Sequence, residues 1–171
     1  MQTGMKSGVK LGGWFDEIIC RDKYGAIKWT DTAKNLVPNV ALNLILDRTF
    51  TGSAATEIDP WYAGLTGADP VPAAADTLSD AGHAGWTEFT DYTGNRMEYV
   101  DVRTDQTVSN TASKAEFPIT TAGTVGGAFM ASAATRTVGT LLCCAALTGS
   151  NRTVADGDTV TLTYTFTAAD A

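Results

Sequence analysis

His83 is the chain's one histidine, and that limits the chemistry its side chains can perform. A Ser–His–Asp or Cys–His nucleophile would have to recruit it. It sits between Ala81–Gly82 and Ala84–Gly85, in a stretch that reads as an exposed loop. No serine stands in a Gly-x-Ser-x-Gly elbow, and no Gly-x-x-x-x-Gly-Lys phosphate cradle occurs. Cys143 and Cys144 are adjacent in an apolar run; on a strand they point to opposite faces and cannot form an ordinary disulfide. They and Cys20 read as small buried apolar residues rather than a redox pair. Asp156–Gly157–Asp158 is a fragment of a calcium loop without the further carboxylates, and a tight turn explains it better. Asp76, Asp80 and His83 can be drawn as a metal site on sequence proximity alone. Asp16–Glu17 and Asp91 read as solvated strand or turn residues. The expectation is therefore no catalytic residue, no cofactor and no metal.

Aromatic residues are the stronger candidates for interaction. Trp14 and Trp29 flank the turn Asp22–Lys23–Tyr24–Gly25 and could pack together across a hairpin. Trp61 and Trp86 open β-segments on either side of a Pro- and Ala-rich loop over residues 67–85. The four tryptophans serve as core or subunit contacts, or, at Trp61 and Trp86 with that loop, as a receptor or glycan platform.

The elements that must position these residues divide near position 53. Five of the six lysines (6, 10, 23, 28 and 34) precede it, and the rest of the 171-residue chain is rich in Thr, Ala and Gly. Residues 1–13 are polar and Gly-rich and predict a flexible N-terminal arm, ordered on a partner. Residues 14–53 predict a hairpin followed by one short helix over 37–48, with Val37, Val40, Ala41, Leu44 and Ile45 on one stripe. Pro38 suits its first turn, and Leu42 and Leu46, off the stripe, predict a helix covered on more than one side. Residues 54–171 predict a β-sandwich module with strands at 61–66, 86–92, 97–102, 115–120, 127–132, 139–146 and 159–167. The last alternates most cleanly, with Val160, Leu162, Tyr164 and Phe166 on one face and threonines on a wet one. The fold class is mainly β, an antiparallel β-sandwich or jelly-roll-like module preceded by arm, hairpin and helix.

Composition narrows the partners. With 12 basic against 19 acidic side chains and a formal charge of −7, the chain is unsuited to nucleic acid, which needs clustered Lys and Arg. No apolar run reaches the roughly 18–20 residues of a membrane helix, and residues 1–13 lack the apolar core of a signal peptide. Three cysteines without metal-type spacing suit a reducing compartment, and synthesis in a cytoplasm is expected.

Several strings go further. Trp61–Tyr62–Ala63–Gly64–Leu65–Thr66, Asp76–Thr77–Leu78, Gly85–Trp86–Thr87–Glu88–Phe89–Thr90–Asp91–Tyr92 and Asn95–Arg96 resemble a group of tailed-bacteriophage virion structural proteins. The likeness continues through Ala115–Glu116–Phe117, Val125–Gly126–Gly127–Ala128–Phe129, Gly139–Thr140–Leu141 and Gly157–Asp158–Thr159–Val160–Thr161–Leu162–Thr163–Tyr164. At the front it includes Cys20–Arg21–Asp22–Lys23–Tyr24–Gly25, Trp29 and Asn35–Leu36–Val37. This resemblance implies a minor capsid or head decoration (cement) protein of the virion. Such a protein would sit on the capsid surface, bind the major capsid protein and self-associate as a homotrimer. The alternative it leaves is a neck, tail or fibre component, with a β-module that binds a receptor or glycan.

Overall fold

The computed structural model describes residues 9–51, 57–78, 83, 85–136 and 138–170, so residues 1–8 of the expected arm, and Asp80, lie outside the described residues. The rest of that stretch is not an arm. Strand β1 (Val9–Arg21) begins there, and Val9 pairs with Asp170 and Gly13 with Phe166 on the last strand, β13 (Thr159–Asp170). Gly12 and Gly13, which have no side chain to bury, are ordered by backbone pairing with a strand from the far end of the sequence. Between Phe15 and Glu17 the register shifts, leaving Asp16 as a bulge, so the inward set runs Phe15, Ile18, Cys20.

Strand β2 (Ile27–Lys34) completes the expected hairpin. Asp22 Oδ1 accepts the N–H groups of Tyr24 and Ala26, each at 2.9 Å, and Gly25 takes φ +86°. Trp14 and Trp29 do not meet across it, because Trp14 lies opposite Lys34 and Trp29 opposite Cys20.

All pairings among the described residues are antiparallel. The first sheet runs β2–β1–β13–β7–β6, with β6 at Val102–Thr104 and β7 at Thr107–Ser109, while β8 (Ala115–Pro118) pairs with the first half of β13. The second runs β11–β10–β3–β4, with β11 at Leu141–Ala146, β10 at Gly127–Ala131, β3 at Tyr62–Thr66 and β4 at Glu88–Phe89. Strand β5 (Met97–Glu98) pairs with the start of β3, and β9 (Gly123–Val125) with β12 (Arg152–Val154) as a separate ribbon.

The two sheets enclose one core. Phe15, Ile18, Phe117, Leu162 and Tyr164 meet Leu65, Met130 and Cys143 there, all but unexposed. The threonine face of β13 is not wet throughout: Thr163 and Thr165 are buried opposite Glu17 and Trp14 of β1. The second sheet is covered on its other face as well. Phe129, Ala131, Leu141 and Cys144 point away from the main core into a smaller one closed by Leu78, Trp86 and Val40. Cys143 and Cys144 thus sit on opposite faces, both buried.

Helix α1 spans Asn39–Leu46 and continues through one wider turn at Asp47–Thr51. Pro38 is its N-cap, extended at φ −73° and ψ 164°, with its carbonyl accepting the N–H groups of Ala41 and Leu42. Ala41 is fully buried and Val40 seals the smaller core. The expected second cover does not exist among the described residues: Leu42, Leu46 and Phe50, spaced four apart, are 39%, 51% and 77% exposed.

Asp158 ties hairpin to body. Its buried carboxylate accepts hydrogen bonds from the Lys28 ammonium, the Ala155 amide (2.7 Å) and the Cys20 thiol. Burial alone would raise its pKa, but Lys28 and the Ala155 amide outweigh it and hold the carboxyl below its ordinary value. A depressed folded pKa contributes stability present above the unfolded value of about 3.9 and lost as pH falls through the folded one. Asp158→Asn is expected to cost about 1–3 kcal/mol at neutral pH. Thermal melts between neutral and acidic pH check this, the gap to wild type narrowing as pH drops below about 4.

Candidate functional site

Trp86 is not available as a contact residue. It is 4% exposed, its ring packs 5.1 Å from that of Phe129, and its Nε1–H donates to Asp76 Oδ2 at 2.9 Å. Asp76 also accepts the Ala73 amide at 2.9 Å, so this carboxylate anchors the 67–85 loop against the second sheet. His83 is half-buried rather than exposed, stacked on Trp86 with ring centroids 4.0 Å apart. Its Nδ1 lies 2.9 Å from the Trp86 carbonyl, which can only accept, so Nδ1 carries the proton. Among the described residues no three His, Cys, Asp or Glu side chains group as a metal site.

The cysteines are poor nucleophiles. Burial, then the Asp158 carboxylate, pushes the Cys20 thiol up to about 12, and burial pushes Cys143 up to about 11. Neither holds appreciable thiolate at neutral pH.

Arg96, named only for resemblance, is the most committed polar side chain. It is 3% exposed; its Nε and Nη2 donate to the two Glu88 oxygens at 3.1 and 2.9 Å, and Nη1 donates to the carbonyls of Ala133, Thr135 and Val138. Arg96 therefore pins the loop between β10 and β11 to β4.

Two concave surfaces flank α1, one holding Trp14 and one Trp61. Beside Leu42, a groove of about 880 Å³ runs along Trp14, which is 42% exposed, with Lys10, Lys34 and Asn35 on its walls. Strand β2 stops opposite Trp14, so the β1 edge from Lys10 to Gly13 faces this groove without a partner strand among the described residues. Trp29 contributes to neither groove; its Nε1–H donates to the Thr153 carbonyl at 3.0 Å.

Beside Ile45 a second groove, of about 430 Å³, is aromatic and acidic. Trp61 is half-buried just before β3, and its carbonyl accepts the Tyr99 amide at 2.8 Å. The Tyr99 hydroxyl donates to the Tyr164 carbonyl at 3.1 Å, with the rings edge to face at 5.9 Å. These bonds hold Trp61 over the buried Tyr99 and Tyr164, and half-buried Phe166 borders the same groove. Exposed Glu57, Asp59 and Asp101 stand on the rim, and among the described residues no Lys, Arg or His lines the groove. The type of Trp61 marked it in the sequence; Tyr99 and Asp101 carried no signal, because they arrive from the segment after β5.

A family model described as "Podophage GP4 fiber I protein gp80" matches residues 37–167, from just before α1 through most of β13. The chain belongs to this family. Membership in the gp80 fibre family makes it a structural protein of a phage virion. The match begins after the β1–β2 hairpin, although β1 pairs with β13 along nearly its whole length. A second similarity is shorter. A protein of Aspergillus terreus described as "Probable xyloglucan-specific endo-beta-1,4-glucanase A" is 34% identical over 94 residues, 52% of this chain and 36% of that one. The chain thus spans about a third of that enzyme's length.

Proposed function

We propose that this protein is a non-enzymatic component of a phage tail fibre whose two-sheet body is a rigid contact module. The observation that carries the reading is the fibre-family match across residues 37–167, which takes in the helix and the whole second sheet. It supports the fibre alternative over decoration of the head shell, and with it a tail component, in place of the major capsid protein, as the structural partner. The physical chemistry supports the same reading. Buried thiols, a histidine stacked on a tryptophan, and an arginine bound to loop carbonyls serve rigidity. Self-association, as a homotrimer, is part of the proposal. Leu42, Leu46 and Phe50 offer an apolar strip along α1 that a neighbouring copy can cover. Quantitative mass spectrometry of purified particles tests the location. A fibre component is present at on the order of ten copies per particle and a shell protein at hundreds; hundreds of copies overturn the proposal.

A further inference from the structure

We propose that the Trp61 groove is a carbohydrate-binding site for sugars without acidic groups. The proposal goes beyond assignment to a fibre and names where, and by what chemistry, the module touches a surface; it rests on the fibre reading only for its biological setting.

The volume of about 430 Å³ lies within the roughly 300–1,000 Å³ typical of small-molecule sites and holds one or two pyranose rings. Its apolar surface is half-buried Trp61 and Phe166, seated over the buried Tyr99 and Tyr164. Tyr99 is held at both ends, by its amide to Trp61 and its hydroxyl to Tyr164, so the backbone that carries Trp61 loses little freedom when a ligand arrives. An aromatic side chain suits the C–H face of a pyranose, which carries apolar and polar surfaces on one rigid ring.

The rim supplies the complementary half. Among the described residues, Glu57, Asp59 and Asp101 have neither a hydrogen-bond nor an ion-pair partner, unlike Glu88, Asp31 and Asp158. A carboxylate accepts and never donates, so the ligand must bring donors. Sugar hydroxyls do so in adjacent pairs, and hydroxyl-to-carboxylate bonds are among the shorter and stronger hydrogen bonds. Three carboxylates, with no basic side chain lining the groove among the described residues, repel uronic or sialic acids. They accept a neutral sugar, and an amine-bearing one gains charge attraction as well. The Trp14 groove, with Lys10 and Lys34 on its walls, lacks this one-sided chemistry.

The full chain is titrated by calorimetry with three probes: cellohexaose, a chitosan hexamer and an oligogalacturonate. Binding of the neutral or the amine-bearing oligomer, with none of the acidic one, is expected. Trp61→Ala is expected to weaken it about tenfold or more. Because Trp61 also packs on the core, the double variant Asp59→Asn/Asp101→Asn, altering exposed residues only, carries the decision, with unchanged circular dichroism and a several-fold loss expected. Binding to none of the probes, equal binding of the acidic oligomer, or undiminished binding by the double variant overturns the proposal. A shell location found in particles would defeat the fibre reading and leave this result standing.

Discussion

Arg96→Ala lowers the melting temperature of the purified protein by on the order of 10 °C, an expectation that follows from what the guanidinium leaves behind. It donates five hydrogen bonds, two to the Glu88 carboxylate and three to carbonyls of the loop between β10 and β11. Removing one partner of a buried ion pair costs about 3–5 kcal/mol, because the other charge stays desolvated and unpaired. In a protein of this size each kcal/mol is worth about 2–4 °C. Arg96→Lys does not rescue it, since an ammonium cannot donate to both Glu88 oxygens and reach three carbonyls at once. Differential scanning calorimetry of the two variants decides it. A shift under about 2 °C for Arg96→Ala would mean that the loop carbonyls find other donors or reach water.

The second large effect lies where β3 crosses β10. Gly64 pairs with Phe129, and a Cβ built on Gly64 would stand 2.3 Å from the Phe129 Cζ. The glycine exists so that the phenyl ring can lie across the strand, between Trp86 and the Arg96 guanidinium at 5.1 and 5.2 Å. Phe129→Ala is expected to cost about 3–5 kcal/mol through lost burial and the cavity left behind. Gly64→Ala, which adds only a methyl, is expected to cost about 1–3 kcal/mol because the ring has nowhere to move. The two positions should be coupled. Gly64→Ala/Phe129→Leu should lose less than the sum of its single variants, by about 0.5–3 kcal/mol in denaturant melts. Strict additivity would show that the ring and the glycine are not in conflict.

How much of this was legible in the sequence depends on how local the cause is. The alternation of Val160, Leu162, Tyr164 and Phe166 names a strand because period two is a property of the strand itself, and β13 is there. The Asp22–Gly25 turn is equally local, its side chain bonding its own backbone. Val9–Gly13 is the opposite case. Its glycines argue for an arm, and only pairing with the tail of β13 makes it a strand. The hairpin of β6 and β7 and the ribbon of β9 and β12 are three residues to a strand, too short for a period to show. The burial of Trp86 has its signal in another segment. Gly127–Ala131 carries no polar residue on either face, which is how a strand covered on both sides reads. For the candidate site, Trp61 was visible by type, whereas its complement of Tyr99 and Asp101 is set by a backbone bond between β3 and the segment beyond β5.

The position of the chain in the particle is decided most directly by cryo-electron microscopy of intact virions. The two facing sheets with α1 across one of them should fit density in a fibre projecting from the tail. The same density fitted instead in a regular array over the head shell, or nowhere on the particle, would contradict it.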